Sequence, residues 1–161
     1  MSSVVSGESD RAHRRATVAV KESLRELRVQ LSVLNHQVGT RLELKDVDVD
    51  CLDLVNQAGQ LSPTALAKLA GLHPATMTGV LDRLEKGGWI ARERDPGDRR
   101  AVVIRGLKER NGEVLAAYGG MNSAMDGVCA EYGVEELELI TEFIRRSARA
   151  GEGAAVGLRA G

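Results

Sequence analysis

Two short runs hold the residues whose types and spacing could do chemistry: Pro74 to Lys86 (PATMTGVLDRLEK) and Asp95 to Arg100 (DPGDRR). Taken as a helix, the first run places Met77, Val80, Leu81 and Leu84 at i, i+3, i+4 and i+7, so these must face a core. At about 100° per residue, Ala75, Gly79, Asp82 and Lys86 then point directly away, flanked by Thr76, Thr78 and Arg83. Small residues and two hydroxyls at the N-terminal end, from Pro74 onward, allow close approach to base edges in a DNA major groove. There a threonine can donate, accept or touch a thymine methyl. Arg83 and Lys86 lie further along, where phosphates are expected. A plain solvated helix face has the same composition, so this run alone does not decide. The second run does more. It sets Arg99 and Arg100 beside a tight turn, with Arg92 and Arg94 on the strand opposite. An arginine on such a tip can enter a narrow minor groove, where negative potential is concentrated. Asp98 is expected to brace the turn, alone or by pairing with an arginine. Neighbours on a strand point to opposite faces, so Arg99 and Arg100 should differ in role.

Other chemistry finds little support. No nucleophile is paired with a base, no glycine-rich phosphate loop is present, and His13, His36 and His73 lack metal-ligand spacing. No enzyme, cofactor or metal is expected, and Glu135, Glu136 and Glu138 read as a solvated acidic face. Cys51 and Cys129 form no CxxC. Cys51 is placed at the opening of a second helix between Asp50 and Asp53, where the helix end lowers a thiol pKa and acidic neighbours raise it. Cys129 is placed in the core. A thiol redox-sensing regulator is therefore kept as an alternative.

The elements that must position these runs follow from periodicity and breakers. Only 2% of the 161 residues are aromatic, so the core is aliphatic, which suits packed helices. Residues 1–10 are Ser/Gly-rich and read as a flexible terminus. Residues 11–45 carry a stripe in steps of four and three (Val20, Leu24, Leu27, Leu31, Leu34, Val38) that a lone helix cannot bury. This is the N-terminal dimerisation helix. Residues 46–106 form the lobe that holds both runs. It has a helix from Asp46 to Gln57, with Gly59 as its stop. Ser62 caps a helix Pro63–Ala70 that turns Leu66, Leu69 and Ala70 inward, and the reader helix ends at Gly87-Gly88. A hairpin of Trp89–Arg94 and Ala101–Arg105 follows. Residues 107–149 are the C-terminal dimerisation helices. One runs from about 108 to 132 with Val114, Tyr118, Met121, Met125, Val128 and Tyr132 as its stripe. A last one runs from 134 to 149 with Leu137, Ile140, Phe143 and Ile144. Residues 150–161 read as a disordered tail. The fold class is thus mostly α with a small β-hairpin wing: a winged helix-turn-helix lobe plus N- and C-terminal dimerisation helices.

Charge agrees with this layout. Residues 62–110 hold ten Lys/Arg against six Asp/Glu, residues 111–161 four against eight, and the net charge is only −1. A basic centre between acidic flanks steers a protein to phosphate. The polar N-terminus lacks a secretory apolar run and no segment reads as membrane-spanning, so a cytoplasmic protein is expected.

The stretch LSPTALAKLAGLHPATMTGVLDRLEKGGWIARERDPGDRRAVVI resembles the MarR family of winged-helix regulators. The likeness rests on the Thr76–Leu84 reader helix, the Gly88-Trp89-Ile90 strand start and above all the Asp95–Arg100 wing. It covers about residues 46–106. The resemblance implies a homodimer with interleaved terminal helices that reads a pseudo-palindromic double-stranded operator, commonly represses, and lets go on binding a small molecule or on oxidation. It also favours Arg100 as the minor-groove residue. Two departures stand out. Gly79 replaces a long, often basic side chain, and Gly106-Leu107-Lys108-Glu109 replaces a Leu-Thr start to the following helix. A winged-helix protein-interaction module without DNA binding is the other alternative. The basic reader helix and wing tip count against it.

Overall fold

The computed structural model describes residues 2–98 and 100–160. In order these form α1 (Ser2–Leu42), α2 (Asp46–Ala58), α3 (Pro63–Ala70), α4 (Pro74–Lys86), β1 (Ile90–Arg94), β2 (Val102–Gly106), α5 (Lys108–Ala117), α6 (Gly119–Cys129) and α7 (Val134–Ala160). Two units separate, Met1–Ala117 and Tyr118–Gly161. The mostly helical architecture and the single antiparallel hairpin are those expected of a winged helix-turn-helix. No helix among the described residues is long and apolar enough to cross a membrane.

The first unit is built on one aliphatic core. α2 contributes Val49, Leu52 and Val55, α3 Leu66 and Ala67, and α4 Met77, Val80, Leu81 and Leu84; all are buried. The hairpin adds Ile90, Val103 and Ile104, with Trp89 just ahead of β1, and α5 adds Val114. The C-terminal end of α1 joins this core through Val38, so α1 packs on both α2 and α5. The hairpin pairs Ile90 with Gly106 and Arg94 with Val102. A further bridge ties it to the α2–α3 link: Leu61 and Ile104 exchange both backbone hydrogen bonds, at 3.1 and 2.7 Å.

Local chemistry explains the element ends. Asp46 and Asp48 in the first turn of α2 complement its N-terminal dipole, and Gly59, at φ 76°, closes it as expected. Ser62 caps α3 by accepting the Ala65 N–H at 3.1 Å, with Pro63 at the first helical position. The end of α4 is built from two glycines with different tasks. Gly87 keeps helical torsions, and a Cβ there would lie 2.7 Å from the Trp89 ring; Gly88 sits at φ 72°. The backbone then reverses so that the Trp89 N–H donates to Leu84 O at 2.9 Å.

Several expectations change. The helix expected over 108–132 is interrupted at Tyr118 and becomes α5 and α6; Gly119 and Gly120 directly follow the break, where helix is costly to continue. α5 falls with the first unit, so the C-terminal division expected at 107 lies at 118. α1 begins at Ser2, not 11, and α7 continues to Ala160, not 149; no proline stops either. On α3, Leu69 is 53% exposed and Ala67 is buried in its place. α3 is only eight residues long and touches its neighbours through a narrow stripe.

The glycine environments predict opposite outcomes for two alanine substitutions. Gly87→Ala should destabilise by about 1–3 kcal/mol, because the Trp89 ring cannot yield without disturbing the core. Gly79→Ala meets only Arg83 Nη1 at 3.5 Å, an ordinary contact, and should stabilise by up to about 1 kcal/mol through helix propensity. Urea unfolding of both variants checks this.

Candidate nucleic-acid interface

α4 is fixed in rotation by its buried face. Met77, Val80, Leu81 and Leu84 are all at most 3% exposed, so the opposite face must point outward. Pro74, Ala75, Thr76, Thr78, Asp82 and Lys86 are exposed and Gly79 is half-buried. The helix starts on a cap that the sequence reading missed: His73 Nδ1 accepts the Ala75 N–H at 3.2 Å, ahead of Pro74 at the first position. Thr78 Oγ1 donates to Pro74 O at 3.1 Å. Its proton is used within the helix, so toward the outside it presents acceptor lone pairs and a methyl group.

Arg83 has a second commitment. Its Nε donates to Asp48 Oδ2 at 2.9 Å and its Nη2 to Asp48 Oδ1 at 2.6 Å, a forked pair that joins α4 to α2. Asp48 is 1% exposed, while the Arg83 side chain is 41% exposed and its Nη1 lies beside Gly79. A charge as buried as Asp48 requires such a partner. The sequence carried a signal for it. Asp48 shares the helical face of Cys51, Leu52 and Val55, and an acid on an apolar face needs a cation across the interface.

The hairpin is braced in two places. At its base Arg92, half-buried, pairs with Asp82 of α4 and approaches Glu85 Oε2 at 3.4 Å, so Arg92 and Asp82 hold the wing to the reader helix. At its tip two aspartates fold the chain locally. Asp95 Oδ1 accepts the Gly97 N–H at 2.7 Å, and Asp98 Oδ1 accepts the Arg100 N–H at 3.0 Å. Asp98 therefore braces the turn as expected, by accepting a backbone N–H. Arg100 lies within this turn and β2 begins only at Val102, so strand alternation does not govern it. Arg94 and Arg100 are exposed and, among the described residues, outside every ion pair. Arg99 lies outside the described residues.

The two thiols differ in setting. Cys51 is the sixth residue of α2 and does not open it. Burial pushes its thiol up to about 11, Asp48 and Asp50 add to the rise, and Arg83 opposes it. Cys129 ends α6 half-buried, outside the core of the described chain. Nothing among the described residues groups three metal-ligating side chains.

With this geometry in place, comparison with known proteins identifies the class. The profile described as the MarR family matches residues 44–102. The uncharacterized HTH-type transcriptional regulator YcgE of Bacillus subtilis (strain 168) is 38% identical over 118 residues, 73% of this chain and 77% of that protein. The HTH-type transcriptional repressor YetL of the same organism is 31% identical over 85 residues, 53% of this chain and 51% of that protein. Among solved structures, NadR in complex with 4-hydroxyphenylacetate superposes with a TM-score of 0.63 at 22% identity, over 80% of this chain and 92% of that one, a likeness of fold. The chain belongs to the MarR family of HTH-type transcriptional regulators.

Two measurements test the geometry. Arg83→Ala strands the Asp48 carboxylate and should cost about 1–3 kcal/mol, less than for a fully buried pair because the arginine is partly solvated. In a cycle with Asp48→Ala, the double variant should lose less than the sum of the single losses. The thiols should separate under iodoacetamide at neutral pH. Cys129 should label first, and Cys51, buried and protonated, only on unfolding.

Proposed function

We propose that this regulator binds a pseudo-palindromic operator duplex as a homodimer, represses transcription from it, and is released by a small-molecule effector. The observation that carries the reading is the outward face of α4. Its N-terminal half, capped by His73 and rotationally fixed by the core, offers Ala75, Thr76 and Thr78 without a bulky side chain in front of them. Base edges in a major groove can approach such a face closely. Ser62, Arg83 Nη1 and Lys86 flank it as phosphate contacts. Arg94 and Arg100 extend the contact from the wing, Arg100 toward the minor groove.

Apolar faces support the dimer. α1 exposes Leu27 and Leu31 at 45% and 42%, beside the half-buried Leu24 and Leu34. α6 exposes Met125 and Val128 next to half-buried Met121, and α7 exposes Ile140, Phe143 and Ile144. A second copy is the partner that would cover all three faces, and it would set two reader helices about 34–36 Å apart on one side of the duplex. Repression is supported by the relative named a repressor, and effector control by the neighbour solved with 4-hydroxyphenylacetate. A cleft of about 410 Å³ lies between the end of α1 and the lobe, lined in part by Lys45, Asp48, Arg83, Lys86 and Arg110. A ligand there would touch residues that hold α4.

Selection of genomic fragments by the purified protein should return a pseudo-palindrome. Sedimentation should give twice 17.3 kDa, and Leu31→Asp should abolish dimer and binding together. Thr78→Ala should cost about 1–3 kcal/mol on that operator and little on random DNA. A monomer at micromolar concentration, or equal losses on both DNAs, would overturn the reading.

A further inference from the structure

We infer that Arg110 is a positioning residue for DNA recognition: from the first turn of α5 it latches the corner at which α4 turns into the wing. The inference rests on the DNA-reading role proposed for α4. It adds a determinant that lies outside the reader helix and the wing tip.

The corner is the segment Gly87-Gly88-Trp89. The guanidinium of Arg110 lies over the Trp89 ring, 3.6 Å from its centroid. Its Nη1 donates to Gly87 O at 2.5 Å. Its Nε and Nη2 donate to Glu113 Oε1 and Oε2 at 2.9 and 3.1 Å. One side chain thus stacks on the tryptophan, donates to a carbonyl at the negative end of the α4 dipole, and is itself oriented by a carboxylate one turn on. Glu113 is correspondingly held below the usual carboxylate range by Arg110. The backbone adds a fourth tie, with the Leu107 N–H donating to Trp89 O at 2.9 Å.

The glycines fit this arrangement. A Cβ on Gly87 would strike the indole, and Gly88 approaches the Arg110 side chain, with its Cβ position 3.8 Å from Cδ. The corner is therefore shaped to let ring and guanidinium lie flat together. Asp48 holds α4 through Arg83, one turn before the corner, and Arg110 holds it at the corner itself. Loss of Arg110 leaves the apolar face of α4 buried but frees the joint between reader helix and wing. Two surfaces that must meet the same duplex then lose their fixed angle. A planar fork is required for this task, and lysine cannot supply both the stack and the paired donors.

The test uses the full-length protein, with Arg110→Ala, Arg110→Lys and Glu113→Gln variants. Trp89 is the sole tryptophan, so its emission reports on the corner directly. Arg110→Ala should shift that emission to the red and lower operator affinity roughly tenfold, about the worth of one base contact. Random-DNA affinity should barely change, and the slope of log affinity against log salt should stay at the wild-type value. Arg110→Lys should fail to rescue. Glu113→Gln, which leaves the stack in place, should give a smaller loss in the same direction and decides the matter if Arg110→Ala does not fold. A slope reduced by about 0.9 would make Arg110 a phosphate contact and overturn the inference. So would full rescue by lysine, or unchanged operator affinity with wild-type protein that discriminates its operator. If the wild type prefers no sequence, the proposed function fails. Trp89 emission unchanged by Arg110→Ala would then dispose of the latch separately.

Discussion

The forked pair between Arg83 and Asp48 is the constraint around which the first unit is arranged. A carboxylate at 1% exposure is tolerable only with a cation held against it. The cation comes from α4, whose outward face carries Ala75, Thr76 and Thr78. The pair engages two of the arginine's five donors and in return fixes α4 against α2. Apolar contacts among Met77, Val80, Leu81 and Leu84 bury the helix but slide easily along its axis, since dispersion is not directional. A planar guanidinium meeting both oxygens of a carboxylate allows one register. Gly79 lies beside the same arrangement, with Nη1 in ordinary contact, 3.5 Å from where its Cβ would be. The missing long residue at that position is thus matched by an arginine drawn over it from the next turn.

The wing obeys a different logic. Its base is tied to α4 through Arg92 and to the α2–α3 link through the Leu61–Ile104 bridge, so the strands move with the lobe. Its tip owes nothing to the core. Asp95 and Asp98 each fold the next two residues by accepting a backbone N–H, and Ala101 closes the loop onto Asp98 O at 2.9 Å. Such turns are set by local sequence, and among the described residues the Arg94 and Arg100 side chains beside the turn are exposed.

These two logics explain what could be read from the sequence. The helix-turn-helix, the hairpin and the face of α4 were legible because each rests on spacing, capping residues and turn chemistry within about a dozen residues. Asp98 as the brace of the turn was legible for the same reason. The pairings of Arg83 with Asp48 and Arg110 with Trp89 were not, since they join residues 35 and 21 positions apart whose approach depends on the tertiary fold. The Asp48 signal was present as an acid on an apolar face, but an acid-rich run (DVDVDCLD) hid it among solvated neighbours. Leu69 shows the converse error. Its spacing suited burial, yet α3 is too short to cover it. The outer helix ends were also misplaced: α1 runs through Gly7 and α7 through Gly151, Gly153 and Gly157, so these glycines do not stop a helix as Gly59 does.

The break at Tyr118 falls at the boundary between the two units. α5 is packed in the first unit through Val114 and pinned to the Trp89 corner by Arg110, whereas Gly119 and Gly120 open α6 directly after it. Glycine lowers the cost of bending at that joint by removing side-chain crowding and widening the allowed torsions. Along the chain α5 follows the hairpin and precedes α6. Its ten residues rise about 15 Å at 1.5 Å each. α4 is thus clamped at both ends of its last turn, by Arg83 on Asp48 and by Arg110 at Gly87 O, within the unit that also holds the hairpin.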